Sequence, residues 1–445
     1  MFMKFLNKII EWGVYLFIFL LPWQTRLILK EGDLDGYWEY GTVSVYGTEI
    51  LLCFLFLLAI VSLVIDKLQI QNYKSQINYK FKITKIATVA IFFLVFASLS
   101  IFWAESKIVA LMAGLRLVEG VGLFLILQIF NFDWKKFSWA FILSALIQAS
   151  LGIYQFLIQT TFASKWLGMA LHDPATLGTI VVEASSERWL RAYGSLPHPN
   201  MLGAFLAIGM FLAIILYQKS LASRGKIILV SIFSILAFGL FTTFSKSAIL
   251  AFVIVLLFFL VGSFIFKEVK ENRQLLSKSI CLFALVAIIF SIIFWEPVAT
   301  RVRGTGRLEA KSTNERISYF GESWQLIKSH PFLGVGLGNY TLALHNEINP
   351  NLKSWEYQPV HNIYLLVLAE LGIFGFTLFL LLLASFFMPL QNNRTWYNLF
   401  DHRNTVFFLI LLVGLFDHYF WTLYFGIILF WVGCVSTKYY FINNE

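Results

Sequence analysis

Residues able to do chemistry are sparse in this chain of 445 residues, and they cluster. His361 and Asn362 open the run PVHNIYLLVLAELGIFGF, residues 359–376, where a lone Glu370 and two glycines interrupt an otherwise apolar stretch. A histidine with its ordinary pKa of about 6.5 can accept or return a proton near neutral pH. Just upstream, RVRGTGRLEAKSTNERISYFGESWQLIKSHPFLGVGLGNY, residues 301–340, gathers Arg301, Arg303, Arg307, Lys311 and Arg316. Such a cluster suits an anion, although snorkelling or contact with lipid headgroups explains any one member equally well. Two more polar stretches precede apolar runs: ERWLRAYGSLPHPNMLGAFLAIGM, residues 187–210, with Arg188, Arg191, His198 and Asn200, and FTTFSKSAIL, residues 241–250, with Lys246. For His198 the plain reading is satisfaction by backbone at an interface, and for Lys246 it is solvation in a turn.

The elements that must position these groups follow from composition. With 59% hydrophobic, 18% aromatic and only 13% charged residues, a chain of this length does not make a water-soluble fold. The expected class is an all-α polytopic membrane protein of about 12 transmembrane helices with two long extracytoplasmic loops. Candidate spans are residues 9–28, 48–65, 86–103, 108–130, 138–158, 200–217, 227–244, 247–266, 279–295 and 361–388. The tail, 405–437, would reach about 50 Å as one helix, well beyond the ~30 Å hydrocarbon core, so two short helices hinged near Asp417 and His418 are expected there. Eleven spans is the alternative count. The chain then divides into N-terminal helices (1–158), a first long loop (159–199), central helices (200–295), a second long loop (296–360) and C-terminal helices (361–445).

An excess of Lys and Arg in alternate loops sets the orientation. Residues 66–85 carry five lysines, 218–226 three Lys or Arg, and 267–278 four, whereas 32–49 carry four acidic residues and no basic one. The basic loops and both termini are therefore expected in the cytoplasm, and the two long loops outside it. This bias accounts for the net charge of +9 without any nucleic-acid partner. Residues 1–28 lack a small-residue cleavage site and read as a first span rather than a removable signal. Cys53, Cys281 and Cys434 fall within apolar segments, so neither a disulfide framework nor a thiolate metal site is indicated. Asp173 beside His172 and Asp417 beside His418 read as capping or packing pairs, and no metal centre is expected.

Apolar positions 317, 319, 320, 324, 326 and 327 follow a helical period. An amphipathic helix on the membrane surface is expected there, with Arg316 near its N-terminus, where free N–H groups favour a phosphate. PFLGVGLGN, residues 331–339, lacks the spacing and the strand–turn–helix context of a dinucleotide fingerprint and reads as a tight backbone turn. Glu370 lies on the helix face opposite His361 and about 13 Å further along, so the two are not a catalytic pair. It should face the bundle interior, with Arg116 its candidate partner unless Glu119 neutralises that arginine first. Gly372 and Gly375 permit close packing.

Four motifs in order, YGSLPHPNMLG, FTTFSKSAIL, ERISYFGESW with PFLGVGLGNY, and PVHNIYLLVLAELGIFG, resemble the O-antigen ligase and O-antigen polymerase family over roughly residues 190–380. Each motif alone is weak; their order is the specific signal. The resemblance implies a GT-C-like, twelve-span architecture in a bacterial cytoplasmic membrane. It implies transfer of a glycan from a polyprenyl-diphosphate carrier to an acceptor hydroxyl on a glycan or lipid-linked acceptor, with no cofactor and no metal, on the extracytoplasmic side. By matching motifs, His361 is the essential histidine and Arg316 the loop arginine that meets the diphosphate. Lys246, in Ser245-Lys246-Ser247, stands where the ligases usually carry arginine, which keeps the charge but loses the bidentate fork. Arg191 joins the donor-binding set, with Asn362, His198, Asn200 and Arg307 in support.

The residues suit that chemistry. A diphosphate leaves readily once its charge is neutralised by Arg or Lys. The acceptor hydroxyl needs a base, which an imidazole supplies, and a single displacement inverts the anomeric centre. Asn362 either orients that ring or caps the helix. A transporter or flippase of a lipid-linked substrate is the alternative from another class, but such proteins show repeated halves and midplane sites, whereas the polar groups here sit in two outer loops. Ligase, polymerase and protein-directed transfer share the donor chemistry.

Overall fold

The computed structural model describes residues 2–72, 85–184, 187–304, 306–387, 400 and 404–436. Most of the five-lysine loop at 66–85 therefore lies outside the described residues. Helix α1 (Phe2–Leu20) leads into an antiparallel hairpin of β1 (Arg26–Lys30) and β2 (Val43–Tyr46). Then come α2 (Gly47–Asn72), α3 (Lys85–Leu99), α4 (Lys107–Ile129) and α5 (Trp134–Ile158). A second hairpin, β3 (Val181–Ala184) with β4 (Glu187–Leu190), precedes α6 (Pro199–Lys219), α7 (Ser223–Thr242), α8 (Lys246–Ile265) and α9 (Arg273–Ile293). The chain continues through α10 (Trp295–Arg303), α11 (Arg307–Ser329), the single turn α12 (Tyr340–Ala343) and α13 (Ile363–Phe387). It ends with α14 (Thr405–Val413), α15 (Tyr419–Thr422) and α16 (Tyr424–Ser436).

Among the described residues, eight helical segments are long and apolar enough to cross a membrane, and two shorter apolar ones, Ile86–Phe102 and Tyr424–Val435, accompany them. The protein is a mostly helical, multi-pass membrane protein. Three expectations are corrected. The first span does not reach residue 28: the helix stops at Leu20, Pro22 follows, and Arg26–Lys30 pairs with Val43–Tyr46 instead. The fold is not purely α, because two short hairpins shape the loops. The segment 361–388 is not one continuous helix, since Gly372 adopts φ +61° and breaks α13.

Helix α6 is the centre of the bundle, buried along nearly its whole length. Small residues let its neighbours approach: a Cβ on Gly203 would lie 2.9 Å from that of Ser245 on the α8 side, and one on Gly209 3.0 Å from that of Ala145 on α5. Side-chain caps fix several helix starts. Asp133 accepts from Lys135 and Lys136 N–H at 2.9 and 3.2 Å, and Asn362 accepts from Tyr364 and Leu365 N–H at 3.0 Å each.

The break in α13 is closed by the glycine-rich turn. Gly334, Gly336 and Gly338 all have positive φ, which folds residues 331–338 against the broken helix. Val335 and Gly336 N–H then donate to Ala369 and Glu370 carbonyls at 3.0 and 2.9 Å, and Ile373 N–H donates to the Pro331 carbonyl at 2.9 Å. A Cβ at Gly372 would overlap the Phe332 carbonyl. We therefore predict that Gly372→Ala destabilises the purified protein by about 2 kcal/mol or more. Gly321→Ala, in α11 with nothing near its Cβ position, should be neutral or stabilising by up to about 1 kcal/mol. Thermal unfolding in detergent decides between them, and equal midpoints for the two variants would contradict the docking argument.

Candidate active site

The ends of several helices meet at one side of the bundle. There α6, α8 and α13 begin, α7 ends, and the chain turns between α14 and α15. They enclose a cavity of about 680 Å³ whose walls include Tyr40 from the first hairpin loop, Tyr193 and His198 before α6, Tyr319 of α11, His361, and Asp417 with His418. The basic loops after α6 and α8 lie at the far ends of those helices, about 30 Å away at ~1.5 Å per residue.

His361 sits at this cavity one residue before the cap of α13. Its ring centroid is 5.0 Å from that of His418 and 5.7 Å from that of Tyr319. Its Nδ1 is buried without a hydrogen-bond partner among the described residues, an unusual state that a substrate group can relieve. Burial pushes its pKa below 6.5; Asp417 pulls upward and Arg316 pushes down with the burial. The ring is thus neutral at pH 7 and free to accept a proton. Asn362 does not orient it. The Asn362 side chain caps α13 and donates to the Leu415 carbonyl at 3.2 Å, so the capping reading holds.

That Asn362 contact is one of three joining the start of α13 to the turn after α14. Ile363 N–H donates to the Gly414 carbonyl at 2.8 Å and Tyr364 O–H to the Leu411 carbonyl at 2.9 Å. Asp417 and His418 follow in this turn, beside His361. They are not the isolated pair expected from sequence. The Asp417 carboxylate is buried and accepts from the Asn200 amide at 3.1 and 3.3 Å and from Ser247 O–H at 2.7 Å. Asn200 in turn accepts from Arg191 Nη2 at 2.6 Å, while Arg191 Nε donates to the Thr243 carbonyl at 2.7 Å. Burial, with Arg301 adding repulsion, lowers the Arg191 pKa to about 9, which leaves it cationic at neutral pH. His418 Nδ1 pairs with Thr422 Oγ1 at 2.8 Å.

His198 lines the same cavity and caps α6, its Nδ1 accepting from Asn200 N–H at 3.0 Å. Burial, then the charges of Arg191, Arg316 and Arg301, hold it well below its ordinary pKa, so it too is neutral. The turn before it is clamped from α5: Gln155 accepts from Tyr193 and Gly194 N–H at 3.2 and 2.9 Å, and Gln148 from Ser195 N–H at 2.8 Å.

The remaining cations divide by partner. Arg316 is half-buried, acts electrostatically on both His361 and His198, and among the described residues makes no side-chain hydrogen bond or ion pair. It is not near a helix N-terminus, because α11 already begins at Arg307; that N-terminus is filled by Glu183, which accepts from Leu308 N–H at 3.1 Å and from Arg307 Nη2 at 2.9 Å. Arg307 is largely exposed and stands outside the cavity wall. Lys246 opens α8 and pairs with Glu309 at 3.0 Å. Glu370 faces the interior as expected, but accepts from the Trp421 indole at 2.7 Å rather than pairing with Arg116.

Residues 231–380 match the family described as O-antigen ligase. Over that stretch, about a third of its length, the chain is similar to the O-antigen ligase family. No curated protein matches the chain. The match to this family of membrane glycosyltransferase-like enzymes supports a function of O-antigen ligase or polymerase type. It contains Lys246, Arg316 and His361, and it excludes Arg191, His198, Asn200, Asp417 and His418.

Sequence reasoning missed Asp417, His418 and Tyr319 as neighbours of His361 and Tyr40 as part of the same cavity wall. The one available signal was the Asp417–His418 pair itself, ionisable groups interrupting an apolar tail. The electrostatics give a prediction for His361. Its titration, followed by NMR of imidazole-labelled protein, should fall below pH 6.5. Removing a neighbouring positive charge in Arg316→Ala should move the midpoint up, and removing a negative charge in Asp417→Asn should move it down. Shifts of the opposite sign would place those charges elsewhere.

Proposed function

We propose that this protein transfers a glycan from a polyprenyl-diphosphate carrier to an acceptor hydroxyl, in the manner of an O-antigen ligase, on the extracytoplasmic side of a bacterial cytoplasmic membrane. The observation that carries this reading is a neutral histidine, His361, whose ring nitrogen Nδ1 has no partner among the described residues, within electrostatic reach of a half-buried arginine, Arg316, that makes no hydrogen bond or ion pair among them. The first is what a general base needs, and the second is what a diphosphate needs.

In the proposed reaction the acceptor hydroxyl loses its proton to the His361 imidazole as its oxygen attacks the anomeric carbon. The bond from that carbon to the diphosphate breaks with inversion, and the departing negative charge is met by Arg316 and Lys246. Arg191 and Asn200 act at one remove, holding Asp417 in place, and Asp417 favours the imidazolium that forms. His198 and His418 line the wall as neutral groups. A polymerase would use the same donor half-reaction with another glycan as acceptor.

His361→Ala and His361→Gln should both fold, still bind the lipid-linked donor, and lose transfer about 100-fold or more, since glutamine can hydrogen-bond but cannot take the proton. Near-normal transfer by the Gln variant, measured with purified protein and lipid-linked glycan, would reduce His361 to a structural role. Cationic side chains are assigned the neutralisation that a metal could supply, so transfer should also survive EDTA. Loss on chelation with recovery in magnesium or manganese would overturn that assignment.

A further inference from the structure

The proposed transfer leaves Glu309 without a part, although it occupies the centre of the cation cluster. It stands in the first turn of α11, and two other elements each supply a cation to it. Lys246 Nζ lies 3.0 Å from Oε2, and Arg301 Nη1 meets Oε1. Arg301, on α10, is fixed from behind by donating its Nε to the Phe244 carbonyl at 3.1 Å. Phe244 makes the turn between α7 and α8 with φ 48°, a conformation that an aromatic residue seldom takes. The Arg301 and Glu309 side chains are 17% and 11% exposed, whereas Lys246 is 54% exposed, so the cluster is closed at the back and open at the front.

None of the three lines the cavity wall itself, but the cluster is linked to it through Asp417, which does. Ser247, next to Lys246, donates to Asp417 at 2.7 Å, and the charges of Arg301 and Glu309 both act on buried Arg191. Arg301 also acts on His198. Two cations taking one oxygen each of a single anionic group is an arrangement that a phosphate satisfies as readily as a carboxylate.

We propose that Lys246 and Arg301 together form a phosphate-binding site for the donor diphosphate, with Glu309 as its internal stand-in, displaced when the donor arrives. The proposal rests on the diphosphate-linked donor of the preceding section. It adds Arg301 to the donor contacts and gives Glu309 a function. Before the donor binds, Glu309 keeps Lys246 and Arg301 from facing each other without a counter-charge. A diphosphate carries more negative charge than one carboxylate, so it can win the exchange, while a singly charged anion competes poorly. Burial alone would raise the Glu309 carboxyl, but Arg301 and Lys246 outweigh it and hold the group below its ordinary range, so it stays an ionised competitor at neutral pH.

An internal competitor lowers apparent affinity in proportion to the fraction of time the site is free. The test is binding of polyprenyl diphosphate without a glycan to the purified full chain in detergent. If Glu309 fills the site about nine-tenths of the time, Glu309→Gln should bind about tenfold tighter than wild type, and Arg301→Ala added to Glu309→Gln should abolish the gain. Equal or weaker binding by Glu309→Gln, with measurable binding by wild type, overturns the proposal and leaves the donor reading standing. No binding by either protein removes the donor reading and this site with it. Should Glu309→Gln not fold, Glu309→Asp draws the carboxylate back by one methylene and should give a smaller gain. A folded Asp variant without any gain is an equal refutation.

Discussion

A backbone group buried away from water must find its partner within the chain, and leaving one unmet costs about 1–3 kcal/mol. Two interrupted helices make this demand here. The break at Gly372 in α13 is met by residues 331–338, whose N–H groups reach the Ala369 and Glu370 carbonyls. The carbonyls left at the end of α14 are met by the start of α13, through Ile363 N–H, the Asn362 amide and Tyr364 O–H. The second set has a chemical result. By satisfying Leu411, Gly414 and Leu415, the residues just after His361 bring that histidine against Asp417 and His418, more than fifty positions away in sequence.

Charge is arranged around this junction in two ways. Asp417 is buried and held by neutral donors, Asn200 and Ser247, with Arg191 one step behind. An acid paired directly with a buried base would form a closed ion pair; an acid held by amide and hydroxyl keeps its negative potential for His361. The cations near it belong to α8, α10 and α11. Lys246 and Arg301 share Glu309, Arg307 takes Glu183, and Arg316 acts on His198 and His361 without an ion pair of its own among the described residues. Of the two charges acting on His361, Asp417 therefore favours a proton on the ring and Arg316 opposes one, with burial on the side of Arg316.

The helical, multi-pass character was legible because bilayer length and backbone satisfaction force long apolar runs. The turn at residues 331–339 and the hinge near Asp417 and His418 were legible too, the first from glycine spacing and the second from helix length. The hairpin at residues 26–46 was hidden because Arg26–Lys30 continues an apolar run and its pairing partner lies thirteen or more residues on. The start of α11 was misjudged because residues 307–315 are polar and carry no apolar period, although a polar segment outside a bilayer can be helical when its first turn is capped, as Glu183 caps this one. The link from Arg191 through Asn200 to Asp417 joins residues over 200 positions apart, and no local pattern encodes it.

The groups assigned to donor and proton, Lys246, Arg316 and His361, all lie within residues 231–380, as do the wall residues Tyr319 and Gln358, while other parts of the cavity wall come from outside it: Tyr40 before α2, the turn from Tyr193 to His198 before α6, and Asp417 with His418 after α14. Leaving-group neutralisation and proton transfer depend on a few charges and one ring nitrogen, which a contiguous segment can supply. The shape that admits one acceptor and refuses another depends on the walls, and these are supplied in part by segments on both sides of it. Tyr40 is tied to Gln358 at 2.8 Å and Trp38 to Thr341 at 3.2 Å, so the first hairpin is anchored to the matched segment by side-chain hydrogen bonds alone at these points. An acceptor preference can therefore change through the hairpin and the turns while the charges that meet the donor stay in place.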